Sequence, residues 1–179
     1  MTAQTRASGS LASAGPGERG RRLFLRFDIA GDRYVLAASE IVRMLPVTPL
    51  KNLPGMPAWV AGLLLYGGTP VPVIDIRALA LGQASTARAS TRVAVVHYRH
   101  ATRAPAPLLG LLLEHATETV HYDSDDFVPY GLDNREARYL GPVRPDTHGL
   151  VQWVKVEDLL PPTVRERLFQ DAAAGSAEA

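Results

Sequence analysis

Histidine and carboxylate side chains are the groups in this sequence best suited to chemistry. There are five histidines, at positions 97, 100, 115, 121 and 148, and an acidic knot at Asp123, Asp125 and Asp126. A metal centre needs three or four such ligands converging on one point. His97 and His100 flank the end of an extended run, where i,i+3 spacing does not put two rings on one face. His115 and His121 stand near enough in sequence to approach Asp123 and Asp125. Solvated histidines beside an acidic loop are the simpler account. The knot does not spell a calcium loop, because its alternation breaks at Phe127 and no glycine or closing Glu follows at the required distance. No cysteine is present, which excludes disulfides, thiolate nucleophiles and cysteine-bound metals. There is no G-x-S-x-G elbow. Gly62-Leu-Leu-Leu-Tyr-Gly67-Gly68 has neither the lysine of a phosphate loop nor the spacing of a dinucleotide fingerprint. Asp75 is the one carboxylate set in an apolar strand, and it reads as an acceptor for backbone N–H groups or for Arg77 at a strand end. The expectation is no catalytic residue, no metal and no cofactor.

Composition narrows the classes further. The chain has 179 residues, a formal charge of +1 and 46% hydrophobic residues. That length suits one domain or two small ones and buries a sizeable core without staples. Residues 1–20 contain no continuous apolar stretch of the signal-peptide kind and read, like residues 169–179, as a flexible tail. The longest apolar run, Trp59 to Tyr66, is far short of the roughly 20 residues of a membrane helix. A soluble, cytoplasmic protein is expected. Small barrels also bind nucleic acid, so a nucleic-acid-binding double β-barrel is the alternative class. Its footprint would be clustered Lys and Arg with exposed aromatics. Here the basic residues are scattered, and aromatics make up 7% of the chain.

The elements that must position these side chains follow from hydrophobic period. From Leu23 to Ile29 the odd positions are apolar, with Arg26 and Asp28 opposite, which predicts a half-buried strand. Ala30 to Arg33 turns the chain, and Tyr34 to Ala37 returns as its hairpin partner. Ser39 is placed to cap a short helix through Ile41, Met44 and Leu45, stopped by Pro46. Pro54, Gly55 and Pro57 punctuate a loop, and the apolar run Trp59 to Tyr66 reads as a short helix. Gly67-Gly68 makes a tight turn, and Val71 to Ile76 a strand whose prolines, Pro70 and Pro72, put its start at an edge. Arg77 to Leu81 is a helical turn stopped by Gly82. After a polar linker, Gln83 to Ser90, the grammar restarts near residue 91. Thr91 to Tyr98 and Leu108 to Leu113 form a second hairpin across a longer loop, Arg99 to Pro107. Glu114 to Val120 takes the place of the Ser39 segment, and His121 to Arg138 is irregular. Gly149 to Val156 is the last strand, and Thr163 caps a closing helix, Val164 to Gln170.

Trp153 to Leu159 matches Val73 to Leu79 at a distance of about 80 residues, and the hairpin openings at Leu23 and Val93 lie about 70 apart. This implies two related small barrels, each a hairpin, a crossover and a strand ending in a helical turn. Trp59 to Tyr66 is apolar on every face, so it is either internal to the pair of barrels or covered by a partner.

These features resemble the CheW family of chemotaxis coupling proteins. The likeness is carried by Phe24 to Phe27 with Gly31-Asp32 and Tyr34, and by Ser39 to Met44. It continues in Pro57 to Gly62, Val71-Pro72-Val73-Ile74-Asp75-Ile76-Arg77 and Val156 to Leu160. Thr91-Arg92-Val93, Leu109-Gly110-Leu111 with Glu114, Ala116, Thr117 and Glu118, Leu140-Gly141-Pro142 and Gln152-Trp153 look most like the WspB-type branch of surface-sensing pathways. The resemblance implies a mainly β domain over residues 21–168. Its expected form is two interlocked, SH3-like, five-stranded β-barrel subdomains with short helices and a C-terminal helix. It also implies a non-enzymatic adaptor, placed at cytoplasmic receptor–kinase arrays. Its partners would be a methyl-accepting chemotaxis-type receptor and the regulatory domain of a CheA-like histidine kinase, with a diguanylate cyclase response regulator as output in the Wsp branch. By position, the receptor groove between the barrels would include Ile41, Gly62, Leu65 and Tyr66. Gly67 stands where the family usually carries an arginine in an Asn-x-Arg-Gly turn, and Lys155 where it often has a small polar or acidic residue.

Overall fold

The computed structural model describes residues 20–100, 105–132 and 134–170. The tails expected at residues 1–20 and 169–179 lie, except for Gly20, Phe169 and Gln170, outside the described residues, as does part of the loop expected from Arg99 to Pro107. Nine strands and two α-helices are present among those described. In chain order they are β1 (Arg21–Ile29), β2 (Asp32–Ala37), β3 (Ile41–Pro46), β4 (Val60–Tyr66), β5 (Thr69–Asp75), α1 (Ile76–Leu81), β6 (Arg92–His97), β7 (Leu108–Asp123), β8 (Leu140–Asp146), β9 (Gly149–Val154) and α2 (Pro162–Leu168).

Pairing divides the strands into two five-stranded barrels that share β7. In the first barrel the C-terminal part of β7 pairs with β1, β1 with β2, β2 in parallel with β9, and β9 with β8. In the second, β3 pairs with β6, β6 with the N-terminal part of β7, β7 in parallel with β5, and β5 with β4. The two orders are the same. Each ring is closed by a residue beyond its last strand. Lys51 exchanges backbone hydrogen bonds with Leu63 of β4 (2.9 and 2.8 Å), and Val128 exchanges them with Val143 of β8 (2.8 and 3.0 Å). The chain halves are therefore exchanged between the barrels. Hairpin β1–β2 sits in the first barrel while β3, β4 and β5 of the same half build the second.

Period two explains how these strands serve two cores at once. Leu25, Phe27 and Ile29 of β1 join Ala94 and Val96 of β6 and Leu109, Leu111 and Leu113 of β7 in one shared cluster between the sheets. The opposite parity fills the barrels: Phe24, Val35, Val151 and Trp153 in the first, and Val71, Val73, Val93 and Val95 buried in the sheet of the second. Gly110 is the small residue that lets the second interior close, since a Cβ there would stand 2.9 Å from Val73 Cγ2. Leu159 and Leu160 after β9, and Val164 of α2, cap the shared cluster.

Four local expectations are corrected by long-range pairing. Only Ala38–Glu40 makes a 3-10 turn, and Ile41 to Pro46 is strand β3, because its backbone pairs with β6 from Val96 to Arg92. The apolar run after Trp59 is not a helix but strand β4, hydrogen-bonded along β5. Glu114 to Val120 continues β7 through an irregularity in its pairing with β1, with His115 at a φ of 51°. Thr163 is not the cap of α2: Pro161 takes that place and Pro162 is the first helical residue, where a missing N–H costs nothing.

The polar linker is bolted down by the two buried carboxylates. Asp75 accepts from Ala78 N–H (3.1 Å), Ser85 N–H (2.8 Å) and Ser85 Oγ (2.6 Å), so it caps α1 and holds the linker together. Gly82 ends α1 at a φ of 68°, as the stop signal requires. Arg77 turns to Glu114 rather than Asp75, donating from Nη1 to both carboxylate oxygens (3.2 and 3.1 Å), and Glu114 also accepts from Thr86 N–H (2.6 Å). Replacing Asp75 by Ala removes a cap and leaves two donors of Ser85 unmet, a loss of about 2 kcal/mol. Leu111→Ala in the shared cluster costs about 2–5 kcal/mol. Urea unfolding of both variants is expected to rank them in that order, each with its strands intact by circular dichroism.

Candidate partner-binding site

Hairpin β4–β5 carries four of the five residues singled out from the sequence: Gly62, Leu65, Tyr66 and Gly67. Its ladder runs from Val60 opposite Ile74 to Tyr66 opposite Thr69, with a bulge between Val60 and Gly62. Gly67 and Gly68 have φ values of 54° and 82°, the double positive φ of a primed two-residue turn. β5 meets β7 only from Val73 onward, so Pro70 and Pro72 fall where the strand has one neighbour. The tip therefore projects beyond the body of the sheet.

The five residues do different jobs. Gly62 is buried at a φ of 143°, and a Cβ there would lie 2.5 Å from the Lys51 carbonyl oxygen and 3.0 Å from Leu50 Cβ. It is the position that lets β4 approach Lys51 and close the ring. Leu65 is 72% exposed, the second most exposed large apolar side chain among those described, after Leu132. Tyr66 beside it is half-buried, and a Cβ on Gly67 would meet nothing within 4 Å. Ile41 lies elsewhere, at the head of β3 on the other edge of the same sheet, paired with Val96 and packed against the shared cluster. It is half core.

The equivalent tip of the first barrel, between β8 and β9, is built to opposite specification. Asp146 accepts from Arg33 Nη1 and from the Tyr122 hydroxyl, both at 3.3 Å. The Thr147 N–H, followed by the Tyr122 and Arg33 donors, holds the Asp146 carboxyl below its ordinary range. Arg33 Nη1 also reaches His148 Nδ1 at 3.0 Å. That tip is charged and tied to β2 and β7, and it too exposes a large apolar side chain, Leu150, paired with Pro145. The β4–β5 tip is apolar, and its Gly67-Gly68 turn has open space around both glycines.

The histidines do not converge. His115 faces Asp28 at 3.3 Å, His148 joins Arg33, and His100 Nδ1 lies 3.2 Å from the Glu157 carbonyl. Among the described residues no group of three His, Asp or Glu is placed to hold a metal. No described helix is long and apolar enough to cross a membrane. Sequence reasoning missed Glu40, the neighbour of Ile41. Its Oε2 is fully buried without a hydrogen-bond partner among the described residues. Burial, reinforced by the Glu157 carboxylate and opposed by Lys155 and Arg99, pushes its pKa up to about 7. Nothing in the local sequence signals that burial.

The family model for the CheW-like domain matches residues 23–162. Among solved structures, the fold is similar to that of the scaffolding protein TtCheW from Thermoanaerobacter tengcongensis, with a TM-score of 0.69 at 15% identity over 87% of this chain and 94% of that one. No curated protein sequence matches the chain.

The division of labour along β4 has a direct test. Leu65→Asp is expected to change unfolding free energy by less than about 0.5 kcal/mol, as befits an exposed side chain. Gly62→Ala, which forces a Cβ against the Lys51 carbonyl at positive φ, is expected to cost more than about 2 kcal/mol. Guanidinium denaturation of both reads the difference.

Proposed function

This chain belongs to the CheW-like domain family, and from that premise we propose that it couples a methyl-accepting chemotaxis-type receptor to the regulatory domain of a CheA-like histidine kinase. Members of the family are scaffolds rather than enzymes, and this chain is an adaptor of that kind in a chemosensory pathway. The observation that carries the finer reading is the exposed Leu65 on a projecting apolar tip. A large apolar side chain held out on a hydrogen-bonded hairpin is a binding anchor: it gains burial when a partner arrives. An amphipathic helix, such as the coiled-coil tip of a receptor, offers the matching apolar stripe. Leu65 and Tyr66 would supply affinity; Ile41, on the other edge of the sheet, would border the groove, and Gly62 would act only by letting β4 close on Lys51. The kinase regulatory domain, itself of the same barrel type in this family, would take a separate face.

The phrases shared with the WspB-type branch support a surface-sensing pathway whose output is a diguanylate cyclase response regulator. Gly67 supports a receptor unlike the usual one. At a φ of 54° the turn favours glycine, and the charge-assisted contact of an arginine is replaced by an uncharged tip. Receptor recognition here rests on apolar burial, and it is expected to be nearly independent of salt.

Titration calorimetry with a receptor cytoplasmic-tip fragment tests this. Tyr66→Ala and Leu65→Asp are each expected to weaken binding by about tenfold or more, roughly 1.4 kcal/mol, with unfolding midpoints unchanged. Unaltered affinity in both variants would remove the hairpin from the site.

A further inference from the structure

Glu40 ends the 3-10 turn Ala38–Glu40 that carries the chain out of β2, in the first barrel, and into β3, in the second. The turn is held by the Ile41 N–H, which donates to the Ala38 carbonyl. Three charged groups face Glu40 from three other places in the fold. Glu157 lies on the 3-10 turn that follows β9, Lys155 joins β9 to that turn, and Arg99 stands just past β6. Lys155 is already engaged, its ammonium 3.7 Å from the centre of the Trp153 ring. The Glu157 backbone is fixed too, through its carbonyl contact with His100. A buried carboxyl oxygen without a donor, beside a second carboxylate, is tolerated far better neutral than charged.

We propose that Glu40 is a proton-operated latch at the joint between the barrels. As the neutral acid it keeps its Oε2 buried and Ile41 seated at the head of β3; as the carboxylate it leaves the joint and loosens that turn. The coupling is short, because Ile41 directly follows Glu40 and its N–H closes, on the Ala38 carbonyl, the turn that Glu40 ends. The sign follows from proton linkage. The folded chain holds this proton up to about pH 7, whereas an unburied Glu releases it near 4.5. The stability contributed by the neutral acid is complete below pH 4.5, declines as pH rises, and is gone above about 7. An effect on partner binding rests on Ile41 belonging to the receptor groove; the latch itself does not.

The test begins without any partner. The full chain, labelled at Glu side-chain carboxyls and Ile methyls, is titrated by NMR from pH 5 to 9. The latch requires the Glu40 carboxyl and the Ile41 methyl to shift together with a midpoint near 7. It also requires the Ile41 shift to vanish in Glu40→Gln, and the melting temperature of the wild type to fall relative to that variant as pH rises. A Glu40 midpoint near 4.5, or an Ile41 methyl indifferent to pH, overturns it. Affinity for the receptor-tip fragment is then measured at pH 6 and pH 8. A titrating methyl with pH-independent affinity upholds the latch and removes Ile41 from the groove.

Discussion

The shared cluster between the barrels is the constraint on which everything else depends. Leu109, Leu111 and Leu113 of β7 and Leu25, Phe27 and Ile29 of β1 meet there. Phe24 of β1 fills the first barrel with Val120 and Tyr122 of β7 beside it, and Gly110 of β7 faces Val73 and Val93 of the second. A strand buried on both faces cannot slip by one residue without turning out two cores. That fixes register throughout. It also fixes topology, because β7 must run from the second barrel into the first, and the halves are tied through it. Separate folding of either half would leave one hairpin without its closing strands.

Polar bolts then decide which parts of this frame are rigid. Asp75 and Glu114 hold the linker to the second barrel, and Arg33, Tyr122 and Asp146 hold the β8–β9 tip to the first. The β4–β5 tip has no such tie among the described residues beyond its own ladder. Two rings with the same strand order thus carry tips of opposite character. One presents its exposed Leu150 beside charged side-chain ties, the other presents Leu65 in a turn that carries no charged residue. An adaptor needs such asymmetry, since a molecule with two equal ends would not distinguish its partners.

Much of the frame was legible because period two is a local signal. β1 follows from alternation, β2 from the turn that returns the chain, β6 from a β-branched run buried on both faces, and α1 from Asp75 at one end and Gly82 at the other. β3 and β4 were not, since an apolar run of six or seven residues satisfies a helix turn and a buried strand alike. Only pairing with β6 and β5 decides, and those partners lie far along the chain. The exchange of strands was equally hidden: matching Val73 with Trp153 reveals two related units without telling which hairpin each unit closes upon. At the site, the apolarity of Trp59 to Tyr66 was visible in the sequence, but whether it was internal or exposed was not, and only the position of Leu65 at the end of β4 decides it. The separate role of Gly62 depends on Lys51 arriving beside it, and the state of Glu40 on Glu157. Both are facts of tertiary approach.

Amide chemical-shift mapping decides whether the β4–β5 tip, and not its anchored counterpart, meets the receptor. The full chain is titrated with a receptor cytoplasmic-tip fragment, and shifts are followed at every assigned backbone position. The largest changes are expected from Leu65 to Thr69, with Asp146 to Gly149 unmoved. Changes confined to Asp146–Gly149, or spread equally over both tips, would contradict receptor binding at the β4–β5 tip.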